Sequence, residues 1–381
     1  MENAVALIIQ TRSCCVRATK VQDNPRGLVT IVIVNYNYDR FLRSSIESAL
    51  QQTYKEVEVL VVDDGSTDGS RATIDTFSDN VTSILRDNGG HVSAFNAGFA
   101  RARGDIVMFL DADDVLYPTC VQTVMANWSP NVSKVQFRLD TVDEHGADQH
   151  MPFPYFAPDL TPEKLKQQAL HYGVYPWTVS SGNAYARSLL EKILPIDSQQ
   201  FARAPDGVVN KLAPLYGDVI SINQMLGAYR VHGKNKWAQG KGRLNGRVIA
   251  ETVQMDLSLH QEFVRRAQGL ALDLPPRDDL MVSQHLEYRM LALRLDPRNY
   301  PIKADTRLNL AIKGARSALD APNFGNLGRA FWVVWFFVLA ALPRSAVDPV
   351  YAATRSQTGR KGAAKFLIGL ARGKARLRAA T

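Results

Sequence analysis

The run Gly104-Asp105-Ile106-Val107-Met108-Phe109-Leu110 stops abruptly in Asp111-Ala112-Asp113-Asp114, and no other stretch limits the fold so sharply. An unbroken apolar run of this length predicts a strand covered on both faces, as in a parallel sheet flanked by helices. Three carboxylates at its end predict a ligand, because α/β sheets bind in the crevice outside the carboxyl ends of their strands. If the backbone stays extended, Asp111 and Asp113 point the same way and share one partner, while Asp114 turns aside. Mg²⁺ or Mn²⁺ held by one or two carboxylates, with substrate phosphates completing the shell, suits that pair. The alternative, acids that merely cap a turn or the next helix, is common for a single Asp and less apt for three.

Upstream, apolar runs alternate with helical patterns. Residues 30–34 read as a strand ending at Asn35-Tyr36-Asn37, followed by a helix capped by Asp39 with Leu42, Ile46, Ala49 and Leu50 on one face. Residues 57–62 form the next strand and end in Asp63-Asp64-Gly65-Ser66-Thr67-Asp68, before a helix carrying Ile74 and Phe77. Residues 81–85 lead to Arg86-Asp87-Asn88-Gly89-Gly90, and Val92, Phe95 and Phe99 mark the helix before Gly104. Such alternation predicts parallel strands joined by right-handed crossovers. Asn35, Asp63, Asp64, Arg86, Asn88, Asp111 and Asp113 then meet along one edge. Carboxylates and amides beside a Gly-Gly turn suit a nucleotide with a metal-bound diphosphate. Neither a Walker-type loop nor a GxGxxG follows the first strand, which excludes P-loop enzymes and dinucleotide-dependent dehydrogenases.

Taken in order, Val34-Asn35-Tyr36-Asn37, Gln51-Gln52-Thr53-Tyr54, Val62-Asp63-Asp64-Gly65-Ser66-Thr67-Asp68, Asn88-Gly89-Gly90 with Asn96-Ala97-Gly98, and Phe109-Leu110-Asp111-Ala112-Asp113-Asp114 resemble glycosyltransferase family 2. The resemblance implies an α/β GT-A fold, that is, a Rossmann-like, mostly parallel sheet with flanking helices. It also implies a nucleotide-diphosphate sugar donor (a UDP-sugar before others), a divalent metal (Mg²⁺ or Mn²⁺) and inversion at the anomeric carbon. Carried over by position, Asn35, Tyr36, Asp63, Asp64, Asn88 and Asp111 would serve the nucleotide, with Asp64 on the base and Asp111 near the ribose, and Asp113 would contact the metal. Downstream, Ser180-Ser181-Gly182-Asn183 resembles the loop near the sugar and acceptor, which assigns Gly182 and Asn183 there. Asp206, in a Pro205-Asp206 pair where the family has two acids, stands at the place of the catalytic base. Gly227-Ala228-Tyr229-Arg230-Val231-His232-Gly233-Lys234-Asn235 matches the closing segment, where His232 would reach the metal or diphosphate.

Residues 1–28 are expected to be a disordered lead-in, 29–240 the glycosyltransferase domain (nucleotide half 29–118, acceptor half 119–240), 241–325 a helical region, and 326–381 an apolar helix with a basic amphipathic tail. Three cysteines, Cys14, Cys15 and Cys120, form neither a disulfide framework nor a zinc motif and suit a reducing, cytoplasmic setting. The net charge of +8 lies wholly in residues 341–381, where nine Lys/Arg face one acid, Asp348. A balanced remainder argues against nucleic acid as a partner. The apolar dozen 331–342 spans ~18 Å as a helix, short of the ~30 Å of a bilayer core. It reads as a buried helix or one lying in a membrane interface. With Trp332, Trp335 and the basic tail it predicts peripheral contact on the cytoplasmic face and a glycan or lipid-linked acceptor. Two alternatives stand beside this reading. One is an aspartyl phosphatase of the haloacid dehalogenase type, opened by Asp111-x-Asp113-x-Val115; the other is a catalytically silent nucleotide-sugar binder held at the membrane.

Overall fold

A computed structural model describes residues 27–201, 204–233, 235, 244–275, 280–321 and 325–355. Most of the expected lead-in and most of the basic tail lie outside them. The chain divides into two compact units, Met1–Ala169 with Tyr175–Ala238, and Leu170–Val174 with Gln239–Thr381.

The first unit holds an eight-stranded sheet: β1 (Val29–Asn35), β2 (Val57–Asp64), β3 (Thr82–Arg86), β4 (Ile106–Asp111), β5 (Val115–Leu116), β6 (Val132–Val142), β7 (Asn183–Ala186) and β8 (Asp218–Arg230). Their order across the sheet is β3-β2-β1-β4-β7-β6-β8-β5. The first four strands are parallel and in level register: Asn35 lies opposite Asp63, Val34 opposite Asp111, and Asp64 opposite Arg86. β7 then runs antiparallel to β4 and β6, and β6 parallel to β8. The sheet is thus mixed, with its parallel part where the alternating pattern predicted it. After β1 the chain builds β2 and β3 on one side and returns to place β4 on the other. The gap beyond β1 and β4 is the topological switch point where α/β folds bind ligands.

Burial follows from composition. Val29, Ile31, Val32 and Ile33 are fully buried on β1, each worth about 2 kcal/mol on leaving water. Helix α1 (Asp39–Leu50) covers one face with Phe41, Leu42, Ile46 and Ala49. Tyr38 occupies its cap position, not Asp39, whose backbone N–H donates to Asp68 at 3.1 Å. α2 (Ser70–Asp75) follows β2. α3 (His91–Arg101) lies on the other face, where Phe95 stacks on Phe109 at 3.4 Å. Gly98 lets α3 sit close, since a Cβ there would come within 2.4 Å of Val32. Then come α4 (Cys120–Ala126), α5 (Pro162–Tyr172), α6 (Arg187–Ile193) and α7 (Pro205–Leu212).

The second unit is helical: α8 (Gly246–Gly269), α9 (Ser283–Leu295), α10 (Arg307–Asp320), α11 (Asn326–Ala341) and α12 (Arg344–Arg355). Leu286, Met290, Leu310, Trp335, Phe336 and Leu339 form its core. Two polar pairs lie inside it: Arg289 meets Asp305 at 2.7 Å, and the Trp335 indole donates to Glu287 at 2.6 Å. α11 buries Trp335, Phe336 and Leu339 but leaves Leu327, Val334, Phe337 and Val338 exposed. The sequence left open a buried or an interfacial helix; one face of α11 is buried and the other is bare. No helix among the described residues is long and apolar enough to cross a membrane.

Candidate active site

β4 ends at Asp111, and the Asp114 N–H closes back on the Asp111 carbonyl at 3.0 Å. The backbone therefore turns within the acidic motif, which corrects the expectation of an extended segment with Asp111 and Asp113 side by side. Each acid has its own neighbour instead. Asp113 Oδ2 lies 2.9 Å from His232 Nε2, with side chains only 10% and 4% exposed. Asn235 Nδ2 approaches the same oxygen at 3.4 Å. Tyr38 and Phe41 hold the imidazole between them, with ring centroids at 5.6 and 5.1 Å. Asp114 is buried, accepting from Ser181 Oγ at 2.6 Å and the Arg230 N–H at 2.9 Å. Asp111 is half-exposed, with His91 Nε2 at 3.7 Å. Arg230, the guanidinium near these acids, lies over the Phe41 ring and donates to the Asp113 carbonyl at 2.9 Å.

Negative charge accumulates here. Burial, and then the charges of Asp113 and Asp111, push Asp114 well above the usual carboxylate range. Burial and the three aspartates push Tyr38 up to about 12. A crowd of acids with imidazole against Asp113 fits a divalent cation. Among the described residues no group of three or more His, Cys, Asp or Glu forms a ready cage.

At the end of β2 the acids are already satisfied. Asp63 accepts from Asn35 Nδ2 at 2.9 Å, the Ser66 N–H at 3.1 Å and Arg71 Nε at 2.9 Å. Burial pushes its carboxyl up, but the bonds from Ser66, Arg71 and Asn35 win and hold it below the usual range. Asp64 accepts from the N–H groups of Gly89 at 3.0 Å and Gly90 at 2.8 Å and pairs with Arg86 at 3.1 Å. It thereby pins the Gly-Gly turn at the amino end of α3. Gly65, at φ 79, makes that approach feasible, since a Cβ would come within 2.6 Å of the Asn88 nitrogen. Asn35 is buried, whereas Tyr36 (46% exposed) and Asn88 are open to a ligand.

Gly182 and Asn183 are buried, and Asn183 Nδ2 donates to the Val179 carbonyl at 2.6 Å. Within that loop it is Ser181 that reaches the acids, since it also accepts from the Asp111 N–H at 3.1 Å. Asp206 is the second residue of α7, after Pro205 at the first position and Ala204 in the left-handed region at φ 54. Desolvation pushes its carboxyl from 3.8 up to about 6, against the Gly207 amide and the charge of Lys134.

Sequence reasoning gave no role to Ser181, Arg230 or His91, although the first two lie inside segments it singled out. Arg86 was seen at a strand end but given no ligand role, and Lys134 was missed altogether. No signal in the strand's mixed polar and apolar pattern marks Lys134 as buried.

The family model for glycosyl transferase family 2 matches residues 30–194. An uncharacterized glycosyltransferase of Nostoc sp. is 32% identical over 270 residues, covering 68% of this chain and 81% of its own. The chain belongs to glycosyltransferase family 2. Glycosyltransferase GlyG of Streptococcus pneumoniae is 35% identical over 101 residues, where the match spans 26% of this chain and 34% of that protein. The S. aureus TarS fragment solved with UDP shares the fold at 14% identity, with a TM-score of 0.51 over 88% of this chain and 92% of that one. The same fragment with UDP-GlcNAc gives 0.50 at 16%. Family membership makes the protein a glycosyltransferase with a GT-A fold acting on nucleotide sugars, and disposes of the phosphatase alternative.

Proposed function

We propose that this glycosyltransferase moves a sugar, with inversion, from a nucleoside-diphosphate donor to a hydroxyl of a glycan or lipid-linked acceptor. The observation that carries the reading is the convergence of Asp111, Asp113 and His232 at the switch point of the sheet, with Asp206 as a separate carboxyl pushed up to about 6. On this reading Tyr36 and Asn88 take the nucleotide, Asn35, Asp63 and Asp64 brace the pocket wall, and Asp111 faces the ribose. Gly182 and Asn183 shape the loop beside the sugar. Asp206 takes the acceptor proton as its oxygen bonds the anomeric carbon and the nucleoside diphosphate leaves with the electron pair. A base titrating near 6 is ionised at neutral pH and still basic enough to accept that proton. When bound on Asp113 and His232, Mg²⁺ or Mn²⁺ supplies Lewis-acid stabilisation to the departing diphosphate.

Thermal denaturation with a panel of nucleoside diphosphates and nucleotide sugars, UDP and UDP-GlcNAc first, in Mn²⁺ or chelator, tests the donor class. One nucleotide should raise the melting temperature in Mn²⁺, and Asp113→Ala should abolish the shift. No shift from any nucleotide would sink the reading.

The second unit carries the other half of the proposal, peripheral contact with the acidic lipids of a cytoplasmic membrane face. Leu327, Val334, Phe337 and Val338 on α11 form a charge-free exposed stripe, and residues 341–381 carry nine Lys/Arg against one acid. An apolar face followed in the sequence by dense positive charge suits an acidic lipid surface. The full chain should sediment with phosphatidylglycerol vesicles at low salt. Phe337→Glu with Val334→Glu should release it, and equal sedimentation of that variant would rule this contact out.

A further inference from the structure

Lys134 is fully buried on β6, opposite Tyr185 of β7. Its Nζ donates to Gln136 Oε1 at 2.9 Å, Asn210 Oδ1 at 2.6 Å and the Tyr175 hydroxyl at 3.3 Å. Each acceptor is oriented from behind. The Gln136 amide donates to the Pro176 carbonyl at 3.0 Å and to Ser221 at 2.9 Å. Asn210 Nδ2 points at the Thr178 carbonyl at 3.3 Å, and its Oδ1 also accepts from the Tyr185 hydroxyl at 3.0 Å. Tyr175 commits its own proton to the Asn210 carbonyl. Three lone pairs therefore face Nζ, and only the charged ammonium, with three donors and no acceptor, satisfies them all. Burial pushes Lys134 well below the usual lysine range, and the charge of Asp206 works against that push.

Among the described residues no carboxylate lies within ion-pair distance of Lys134. Asn210 stands four residues after Asp206 on α7, so the two share a helix face one turn apart. The ammonium is thus fastened one turn below the carboxyl.

We propose that Lys134 is the positioning residue of the Asp206 base, its ammonium fixing the inner face of α7 through Asn210 and keeping the Asp206 carboxylate ionised. The inference rests on the reading of Asp206 as base. Other titratable groups on the elements packed against α7 are engaged elsewhere or exposed. On α6, Arg187 donates to the carbonyls of Gly104 and Ala102, Lys192 lies over the Tyr216 ring, and Glu191 is exposed. On α3, His91 faces Asp111 and Arg101 is exposed. Tyr185 on β7 and Tyr175 before it are raised by burial and stay neutral. Lys211, on α7 itself, is buried.

The test is a carboxyl-carbon NMR titration of the full chain labelled at aspartate, with the Asp206 resonance assigned by its absence in Asp206→Asn. Lys134→Met removes the charge. Gln136→Glu neutralises it in place and guards against a Lys134→Met chain that does not fold. Both should move the Asp206 midpoint to higher pH, by about one unit. The acid limb of turnover should follow, giving about a tenfold loss well below the midpoint and little change at pH 9. An unchanged Asp206 midpoint in both variants would overturn the proposal. Full turnover in Asp206→Asn would instead overturn the base assignment, so the two failures are distinguishable.

Discussion

β2 and β4 each deliver adjacent carboxylates to the same crevice, yet the two clusters are compensated by opposite means. Asp63 and Asp64 are met by Arg71, Arg86, the Asn35 amide and backbone N–H groups. Asp111 and Asp113 instead crowd the buried Asp114 and push its carboxyl up, and Asp113 has imidazole against it. Acids of the first kind are already paired in the folded chain and act as braces. Acids of the second kind crowd one another, a setting that a bound cation would relieve. Position at a strand end is shared, so only the partner set separates a brace from a ligand-binding group.

The largest predicted effect breaks the comparison if it fails. Asp113→Ala should lower kcat about a thousandfold on any donor and acceptor pair that turns over, while the melting temperature moves by only about 2 °C, because removing one crowded acid relieves repulsion. Asp64→Asn should do the reverse. Its new amide turns an N–H toward the donors of Gly89 or Gly90 and removes the ion pair with Arg86, at a cost of about 2–3 kcal/mol in urea unfolding. Turnover per folded molecule should fall far less than in Asp113→Ala. If Asp64→Asn proves as stable as the parent, the division into braces and ligand-binding acids fails.

The parallel edge was legible in the sequence because β1, β2 and β4 are apolar runs closed by Asn or Asp, and level register then brings residues 35, 63 and 111 together whatever lies between them. Where the motif bends was not legible: the turn after Asp111 depends on Ser181 and Arg230, contributed from residues 70 and 116 positions further on. Lys134 was hidden for a related reason. Val132-Ser133-Lys134-Val135-Gln136 reads as a half-exposed strand with lysine in water, but β6 lies between β7 and β8, and Tyr175, Tyr185 and Asn210 close over the ammonium. α11 shows the same limit, since an all-apolar helix cannot announce which face its neighbours will cover.

The smallest predicted effect sharpens the contrast by extending it to Asp206. Its carboxyl titrates at about 6 against an ordinary 3.8, so between those values the folded chain holds a proton that the unfolded chain has released. Stability attributable to this group therefore falls as pH rises through that window and stays lower above it. Asp63 has the opposite sign: its carboxyl is held low, so its contribution is present above the ordinary range and lost on acidification. A shift of about two units is worth ~3 kcal/mol before solvent screening, and about half of that for a partly exposed group. Asp206→Asn should accordingly melt about 2–4 °C above the parent at pH 8 and converge with it near pH 4, while losing turnover. Asp63→Asn should melt below the parent at pH 8 and approach it only in acid. Parallel melting curves for Asp206→Asn and parent across that range would mean that Asp206 is solvated like an ordinary surface acid, and the electrostatic case for its role as base would go with it.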